Sequence, residues 1–299
     1  MNKLGLHANV WVAGWSENEA AMAIEKTAAT GFDLIEIPAL EPSSLRPDET
    51  RRRLDAAGIG CTLSLGLDDR SDISSGDPQM MKAGEEKLRT ALSVGRDLGA
   101  THVCGILYSA FQKYFEPPTR RGIEASAEVM RRVADYAVEN DITLGMEVVN
   151  RYESNVLNTA AQAVAYCKMV DAPNVKVHLD AYHMHIEEQS PPDAIMATGK
   201  QLGYFHTGES HRGYIGSGSI DHPSLFRALV ASGYDGPITY ESFSSEVVGQ
   251  PLTGILGIWR NTWTDGEDLA RHAYTFTHAQ LKAARETVLR ASGFTEMEA

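Results

Sequence analysis

The sequence predicts a single (β/α)8 barrel. Two observations support this prediction. Short apolar runs alternate with longer segments of helical periodicity along the whole chain, and eight such runs can be found. The length of 299 residues is also one that a barrel of this kind commonly occupies. We therefore expect residues 1–299 to form one domain.

The predicted strands are rich in aliphatic and β-branched residues. They cover Leu4–Asn9, Asp33–Pro38, Ile59–Leu65, His102–Leu107, Thr143–Val149, Val175–Asp180, Leu202–His206 and Pro237–Glu241. Eight parallel strands close a barrel, whereas the alternative, an open doubly wound sheet, usually has a glycine-rich turn after its first strand. Here that turn reads NVWVAG over residues 9–14, which lacks such a motif.

The predicted helices lie between the strands and carry an apolar residue at every third or fourth position. They cover Glu17–Thr30, Asp48–Ala57, Pro78–Leu98, Arg120–Asn140, Ala160–Val170 and Ser224–Ser232, with a shorter helix near Asp193–Lys200. Several of them run into a glycine, such as Gly31 and Gly58, where a helix end favours a left-handed residue. We expect an insertion over Leu252–Asp265 before a C-terminal helix.

The composition is that of a globular protein, with 43% hydrophobic and 22% charged residues. A formal net charge of −13 repels nucleic acid, and Lys and Arg form no cluster interleaved with aromatic residues. No stretch approaches the ~18 apolar residues of a membrane span. The three cysteines form neither a CxxC pair nor a disulfide framework. We therefore expect a cytoplasmic protein with a small-molecule substrate and with neither a nucleic-acid nor a membrane partner.

Four consecutive predicted strands each end in a side chain that can bind a metal ion. These residues are Glu147, Asp180, His206 and Glu241. Their spacings of 33, 26 and 35 residues each correspond to about one βα unit, so the side chains take equivalent positions on successive strands. The C-terminal strand ends of a barrel converge on one face. We therefore expect the four residues to meet there.

The predicted ligands are three carboxylates and one imidazole. An oxygen-rich set with a single nitrogen suits Mn²⁺, Mg²⁺ or Co²⁺ better than structural zinc, and we expect one Mn²⁺ ion, with Mg²⁺ or Co²⁺ as alternatives. Each carboxylate could instead cap a helix or pair with an arginine, but the neighbouring loops offer only Arg151 and Arg212. Buried carboxylates without a cation would repel one another strongly, which favours the ion.

Glu147 and Glu241 come from well-separated strands and can face opposite sides of a substrate that lies on the metal. A ketose that chelates the ion through its carbonyl group and an adjacent hydroxyl would have an acidified α-proton, because the ion stabilises the enediolate. One glutamate would remove this proton, and the other would return a proton. The site therefore predicts a metal-dependent sugar isomerase or epimerase.

Four motifs at these positions resemble the ketose 3-epimerases, the family of D-tagatose, D-psicose and L-ribulose 3-epimerases within the xylose-isomerase-like barrels. The motifs are GMEVVNRYE at 145–153, HLDAYHM at 178–184, HTGESHRG at 206–213 and YESF at 240–243, and the likeness spans nearly the whole chain. The resemblance implies inversion of C3 in a free ketose through a metal-stabilised cis-enediolate. Glu147 and Glu241 would be both metal ligands and the acid/base pair.

The resemblance also implies three substrate contacts. Glu153, His183 and Arg212 would hydrogen-bond the oxygens at the carbonyl end of the sugar, each from a loop that follows a ligand strand. By contrast, His185 and His211 have no matching role and are expected to pack against neighbours or face solvent.

Two other segments near the strand ends have less specific signals. His7, Trp11 and Trp15 could line the apolar side of the pocket or pack in the core. His222-Pro223 stands where the family pattern would place a tryptophan, soon after a glycine turn at 216–218. Such a turn after the seventh strand can bind phosphate, so a phosphorylated sugar stays an alternative substrate.

An aldose–ketose isomerase, such as hydroxypyruvate isomerase, is the nearest alternative function, because a similar site could act on a differently placed substrate. A sugar-binding barrel without turnover is a second alternative, but it would not need paired proton-transfer groups. A DNA-repair endonuclease would need more metal ligands and a basic surface. The apolar and aromatic insertion Pro251–Trp263 predicts a buried surface in a homodimer or homotetramer.

Overall fold

The computed structural model describes residues 2–291 of the chain. Its parallel strands are β1 (Leu4–His7), β2 (Leu34–Pro38), β3 (Gly60–Leu67), β4 (His102–Ala110), β5 (Thr143–Glu147), β6 (Val175–Asp180), β7 (Leu202–Thr207) and β8 (Ile238–Tyr240). They close a barrel in chain order, with β8 paired to β1. The predicted (β/α)8 barrel is therefore confirmed. The single domain stays a prediction, because Met1 and residues 292–299 lie outside the described residues.

Helices surround the barrel. They are α1 (Glu17–Thr30), α2 (Pro47–Ala57), α3 (Pro78–Leu98), α4 (Arg120–Val138), α5 (Ala160–Val170), α6 (Ala181–Glu187), α7 (Pro191–Thr198), α8 (His222–Ala231), α9 (Ser245–Val248), α10 (Leu252–Leu256) and α11 (Gly266–Ala291). Helices α1, α3 and α5 begin and end at the predicted residues. Among residues 2–291, no helix combines the length and apolar character that a membrane span needs.

Several predicted boundaries differ from the structure by a few residues. β1 ends at His7 because the next three residues form a 3-10 turn, in which the His7 ring accepts a hydrogen bond from the Asn9 N–H. The ladders of β5 and β8 end at Glu147 and Tyr240, so the last residues of both predicted strands belong to loops. Helix α8 begins two residues early, because the Asp221 side chain caps it.

The inside of the barrel is polar near its C-terminal end. Period-two alternation places Glu36 of β2 on the interior side, while its neighbours Ile35 and Ile37 pack into the apolar core outside it. The Tyr204 hydroxyl hydrogen-bonds the side chains of Thr62 and Thr239 and donates to Glu36. These interior groups thus form a connected network directly below the strand ends.

Helix α3 packs against the preceding loop at a buried glycine. A Cβ atom at Gly84 would overlap the carbonyl oxygen of Ser71 and a methyl group of Ile73. At Gly95, on the same helix, the nearest atom to an added Cβ would be the mobile methyl group of Ile142, at 3.2 Å. An added methyl group would therefore clash with backbone at Gly84, whereas at Gly95 it would meet a side-chain methyl group.

Gly84→Ala is expected to lower the free energy of unfolding by about 1–3 kcal/mol, because the backbone at Ser71 must move. Gly95→Ala is the matched control, since alanine is favoured over glycine in a helix by about 1 kcal/mol and the Ile142 methyl can shift. Urea unfolding followed by circular dichroism measures both changes. Equal effects of the two substitutions would contradict the proposed contact of Gly84.

Candidate metal centre and substrate pocket

The four predicted strand-end residues converge at the C-terminal mouth of the barrel. Glu147 and Asp180 are the last residues of β5 and β6, His206 lies at the end of β7, and Glu241 directly follows β8. The Nδ1 atom of His206 lies 3.5 Å from a carboxylate oxygen of Glu147, 3.5 Å from one of Asp180 and 3.7 Å from one of Glu241. The side chains of Asp180 and His206 are almost completely shielded from solvent, whereas those of Glu147 and Glu241 stay 12% and 11% exposed.

These distances fit a shared divalent cation. Ligand atoms held about 2.1 Å from one ion lie about 3.0–3.4 Å from one another. The Nδ1 atom of His206 and the Oδ2 atom of Asp180 are buried without a hydrogen-bond partner among the described residues. Each of the four residues belongs to a group of side chains whose ligand atoms could hold an ion. The protein therefore has a candidate metal-binding site at the predicted position.

The surrounding charges also favour a cation. Burial alone would lower the pKa of His206, but the carboxylates of Glu36 and Glu241 raise it well above its usual value. The field that draws a proton onto this imidazole equally attracts a metal ion. Arg151, which sequence reasoning considered as a counter-charge, pairs with Glu187 instead.

Glu147 and Glu241 have different electrostatic surroundings. Burial raises the pKa of Glu241 to about 8, and the negative charges of Asp180 and Glu147 add to this effect. Burial also disfavours the ionised form of Glu147, but the imidazoles of His178 and His206 more than offset it and lower its pKa. Two carboxylates with pKa values moved apart can act as a proton acceptor and a proton donor.

Arg212 lies in the pocket and holds Glu241 in place. Its guanidinium donates to Glu241 at 2.9 Å and to Glu153 at 3.2 Å. The same group lies over the rings of Tyr182 and Phe243, with distances of 4.0 and 4.9 Å to the ring centroids. Arg212 therefore joins Glu153, which is also implied as a substrate contact, to Glu241, one of the two candidate acid/base groups.

His183 also lines the pocket, but its predicted position in a loop is wrong. It lies in the first turn of α6, because the Asp180 side chain caps this helix by accepting a hydrogen bond from the His183 N–H at 3.0 Å. Its ring Nδ1 accepts a hydrogen bond from the Asn150 N–H. The Nε2 atom therefore points toward Glu153 and lies 3.7 Å from a carboxylate oxygen of that residue. Asp180 therefore orients this residue as well as the metal centre.

Polar and apolar side chains both line the pocket. The polar set, called the polar wall below, includes His7, Glu147, Glu153, His183, Arg212 and Glu241. The apolar set, called the apolar wall, includes Leu40, Leu65, Ile106, Phe111, Leu252 and Leu256. Trp11 and Trp15 belong to the core, where they donate hydrogen bonds to Thr27 and Thr50. Of the three early aromatic candidates, His7 alone lines the pocket.

Glu36 and His178 were not predicted, although both lie directly behind the metal centre. Glu36 is completely buried and accepts hydrogen bonds from His206 at 2.9 Å and from Tyr204 at 2.7 Å. The His178 ring packs edge-on against His206, with ring centroids 4.2 Å apart. The sequence contains an indication of both residues. Glu36 is a charged residue within an apolar strand, and His178 lies on the same strand face as Asp180.

The loop after β7 is fastened by Glu209. Its buried carboxylate accepts hydrogen bonds from the backbone N–H groups of Ser210 and Gly216 and from the His222 ring. The Arg212 N–H donates to the Glu209 carbonyl at 2.8 Å. His222, at the departure from the family pattern, therefore stabilises the loop that presents Arg212. Because Gly216 already donates to Glu209, the structure disfavours phosphate binding at this turn.

His185 and His211 stay outside the pocket, as expected for residues without a catalytic role. The His185 ring is exposed and hydrogen-bonds Ser219, and the His211 ring hydrogen-bonds Ser217. The His185 contact joins α6 to the loop after β7, and the His211 contact lies within that loop, so both histidines support its structure.

Known proteins share this architecture. The model of the xylose isomerase-like TIM barrel family matches residues 24–276. The chain is 46% identical to a ketose 3-epimerase of Arthrobacter globiformis over 95% of this chain and 98% of the relative. A crystal structure of D-allulose 3-epimerase from Methylomonas sp. in complex with D-allulose is 43% identical, with a TM-score of 0.92 over 93% of this chain and 97% of that one. A structure of L-ribulose 3-epimerase is 39% identical, with a TM-score of 0.95 over 100% of both chains.

Proposed function

This chain belongs to the ketose 3-epimerases of the xylose isomerase-like TIM barrel family, and we propose that it inverts the configuration at C3 of a free ketose. The substrate class is that of L-ribulose, D-psicose, D-fructose and D-tagatose, in line with the L-ribulose and D-allulose named for its relatives. The observation that supports the proposal is the convergence of Glu147 and Glu241 on one pocket, from separate strands.

In the proposed reaction, one of these glutamates removes the proton from C3 and the other delivers a proton to the opposite face. The C3–H bond that breaks is replaced by a new C3–H bond of inverted configuration, so no other reactant is consumed. Arg212 holds Glu241 by a hydrogen bond to one carboxylate oxygen, which fixes the direction of the other oxygen. General acid–base groups must be positioned in this way to act at a single carbon.

We propose Mn²⁺ as the bound ion, with Glu147, Asp180, His206 and Glu241 as its ligands, and Mg²⁺ or Co²⁺ as alternatives. When bound, such an ion would polarise the substrate carbonyl and stabilise negative charge that develops next to C3. Arg212, Glu153 and His183 would hydrogen-bond the oxygens at the carbonyl end. The apolar wall would then face the remainder of the sugar chain. Because its side chains form no hydrogen bonds, it would not select among the configurations of the hydroxyl groups there.

We also propose that the protein works as a homodimer or homotetramer in the cytoplasm. Trp259 is 74% exposed and Ile255 is 45% exposed, both within the insertion between β8 and α11. Exposed apolar side chains close together are typical of an interface. All three cysteines are buried and free, which suits a reducing compartment.

The proposed activity is tested by incubating EDTA-stripped protein with D-fructose, D-psicose, D-tagatose and L-ribulose, with and without Mn²⁺. The C3 epimer is expected only when the metal is restored, because the carboxylate-rich site needs the cation. Chromatography resolves the products. Formation of an aldose would instead support the isomerase, and no conversion of any ketose would contradict the proposed function.

Glu147→Gln and Glu241→Gln are each expected to lower turnover at least ~10²-fold, because each removes a proton-transfer group. Glu246→Gln, in an exposed glutamate of α9, is the matched control and should retain wild-type turnover. Turnover is measured at saturating Mn²⁺, with circular dichroism as the check on folding. Wild-type turnover in either pocket variant would exclude the two-glutamate reaction.

A further inference from the structure

Glu36 is a buried charge that the proposed chemistry does not use. It lies on β2, and its carboxylate is completely shielded from solvent. Its Oε2 atom accepts hydrogen bonds from His206 Nε2 and from the Tyr204 hydroxyl, at 2.9 and 2.7 Å. Burying a carboxylate costs free energy, which indicates that Glu36 has a function inside the barrel.

The contact with His206 determines which ring nitrogen carries a proton. An ionised carboxylate can only accept hydrogen bonds, so the Nε2 atom of His206 must be the donor. In a neutral imidazole, the lone pair is then on Nδ1. This is the nitrogen that faces the oxygens of Glu147, Asp180 and Glu241 at 3.5–3.7 Å. Glu36 thereby presents the lone pair of His206 to the metal centre.

The interior network holds the Glu36 carboxylate in position. The Tyr204 hydroxyl that donates to Glu36 is itself hydrogen-bonded to Thr62 at 2.8 Å and to Thr239 at 2.7 Å. On the other side, the His7 ring lies 3.8 Å from the second Glu36 oxygen. Tyr204 thus links Glu36 to β3 and β8, and the carboxylate cannot turn away from His206 without also breaking its hydrogen bond with Tyr204.

A metal-bound imidazole gains from such a partner in two ways. The hydrogen bond fixes the ring plane, and the negative charge makes the coordinating nitrogen more basic. A cation at the site would also be attracted by the charge of Glu36 through the low-dielectric barrel interior. Both effects would raise the affinity for a divalent ion, although Glu36 does not contact the ion.

We propose that Glu36 is a positioning residue of the metal centre, which fixes His206 in the Nε2–H tautomer and increases the affinity of the site for a divalent ion. This role rests on the proposed metal site, since it acts through one of its ligands. It adds a carboxylate from β2 to a centre whose ligands come from the β5–β8 side of the barrel.

The charge of Glu36 is tested by measuring Mn²⁺ binding to Glu36→Gln by isothermal titration calorimetry. Glutamine keeps the shape of the side chain and an acceptor oxygen but removes the charge. The expected loss of affinity is about 10- to 100-fold, the usual effect of removing the partner of a metal-binding histidine. Glu246→Gln is the matched control, because it removes one negative charge by the same substitution at an exposed position, and it should bind Mn²⁺ as the wild type does.

The tautomer is tested without any change to Glu36. Long-range ¹H–¹⁵N correlation spectra of the Mg²⁺-loaded protein, labelled with [¹⁵N]histidine, are expected to show a proton on Nε2 of His206. The His206 signals are identified by their absence in His206→Gln. Because coordination through Nδ1 leaves the proton on Nε2 in any case, the role of Glu36 is measured from its hydrogen bond: the Nε2–H proton of the wild type is expected to resonate downfield of that in Glu36→Gln, which loses the charged acceptor.

Three results would overturn the proposal. Equal Mn²⁺ affinities of Glu36→Gln and the wild-type protein would remove the role of Glu36 and leave the metal site intact. A proton on Nδ1 of His206 would contradict the proposed tautomer. If the wild-type protein bound no Mn²⁺, the proposed metal site would fail and the role of Glu36 with it.

Discussion

The crowding of carboxylates around the His206 imidazole is the constraint on which the site depends. Those of Glu147, Asp180 and Glu241 lie 3.5–3.7 Å from its Nδ1 atom, and Glu36 lies on the other side at Nε2. Like charges at this separation, out of water, repel one another and are costly to bury. The imidazole, the Arg212 guanidinium and a divalent ion are the positive partners that make the arrangement tolerable. The charges that make the site costly are also those proposed to bind the ion and to act on C3.

The barrel converts distant sequence positions into this arrangement. The strand ends bring the candidate ligands to one face, and the segments that follow them carry the proposed substrate contacts. Hydrogen bonds at the starts of these segments fix the positions of the side chains. Asp180 caps the helix that carries His183, and Glu209 fastens the loop that presents Arg212. A candidate metal ligand and a loop carboxylate therefore position the polar wall of the pocket.

The alternation of apolar runs with helical segments was sufficient to predict the barrel, and the repeat of metal-competent residues at strand ends was sufficient to predict the convergence of the four candidate ligands. Periodicity could not predict that Asp180 starts a helix, because the helix depends on a cap that also serves the site. Nor did it indicate Glu36, whose contact with His206 joins β2 to β7 across the barrel. Interactions between strands far apart in sequence have no local pattern. The motifs alone identified Glu153, His183 and Arg212, because the spacing of loop residues is not periodic.

The two-glutamate reaction is tested most directly by epimerisation in D₂O. Mn²⁺-loaded protein is given an accepted ketose, and the early product is analysed by NMR for deuterium at C3. If one carboxylate removes the proton and another delivers a different one, the product carries deuterium at C3 from the first turnovers, while the unreacted ketose keeps its hydrogen. Product that retains the original hydrogen at C3 would contradict two separate proton-transfer groups.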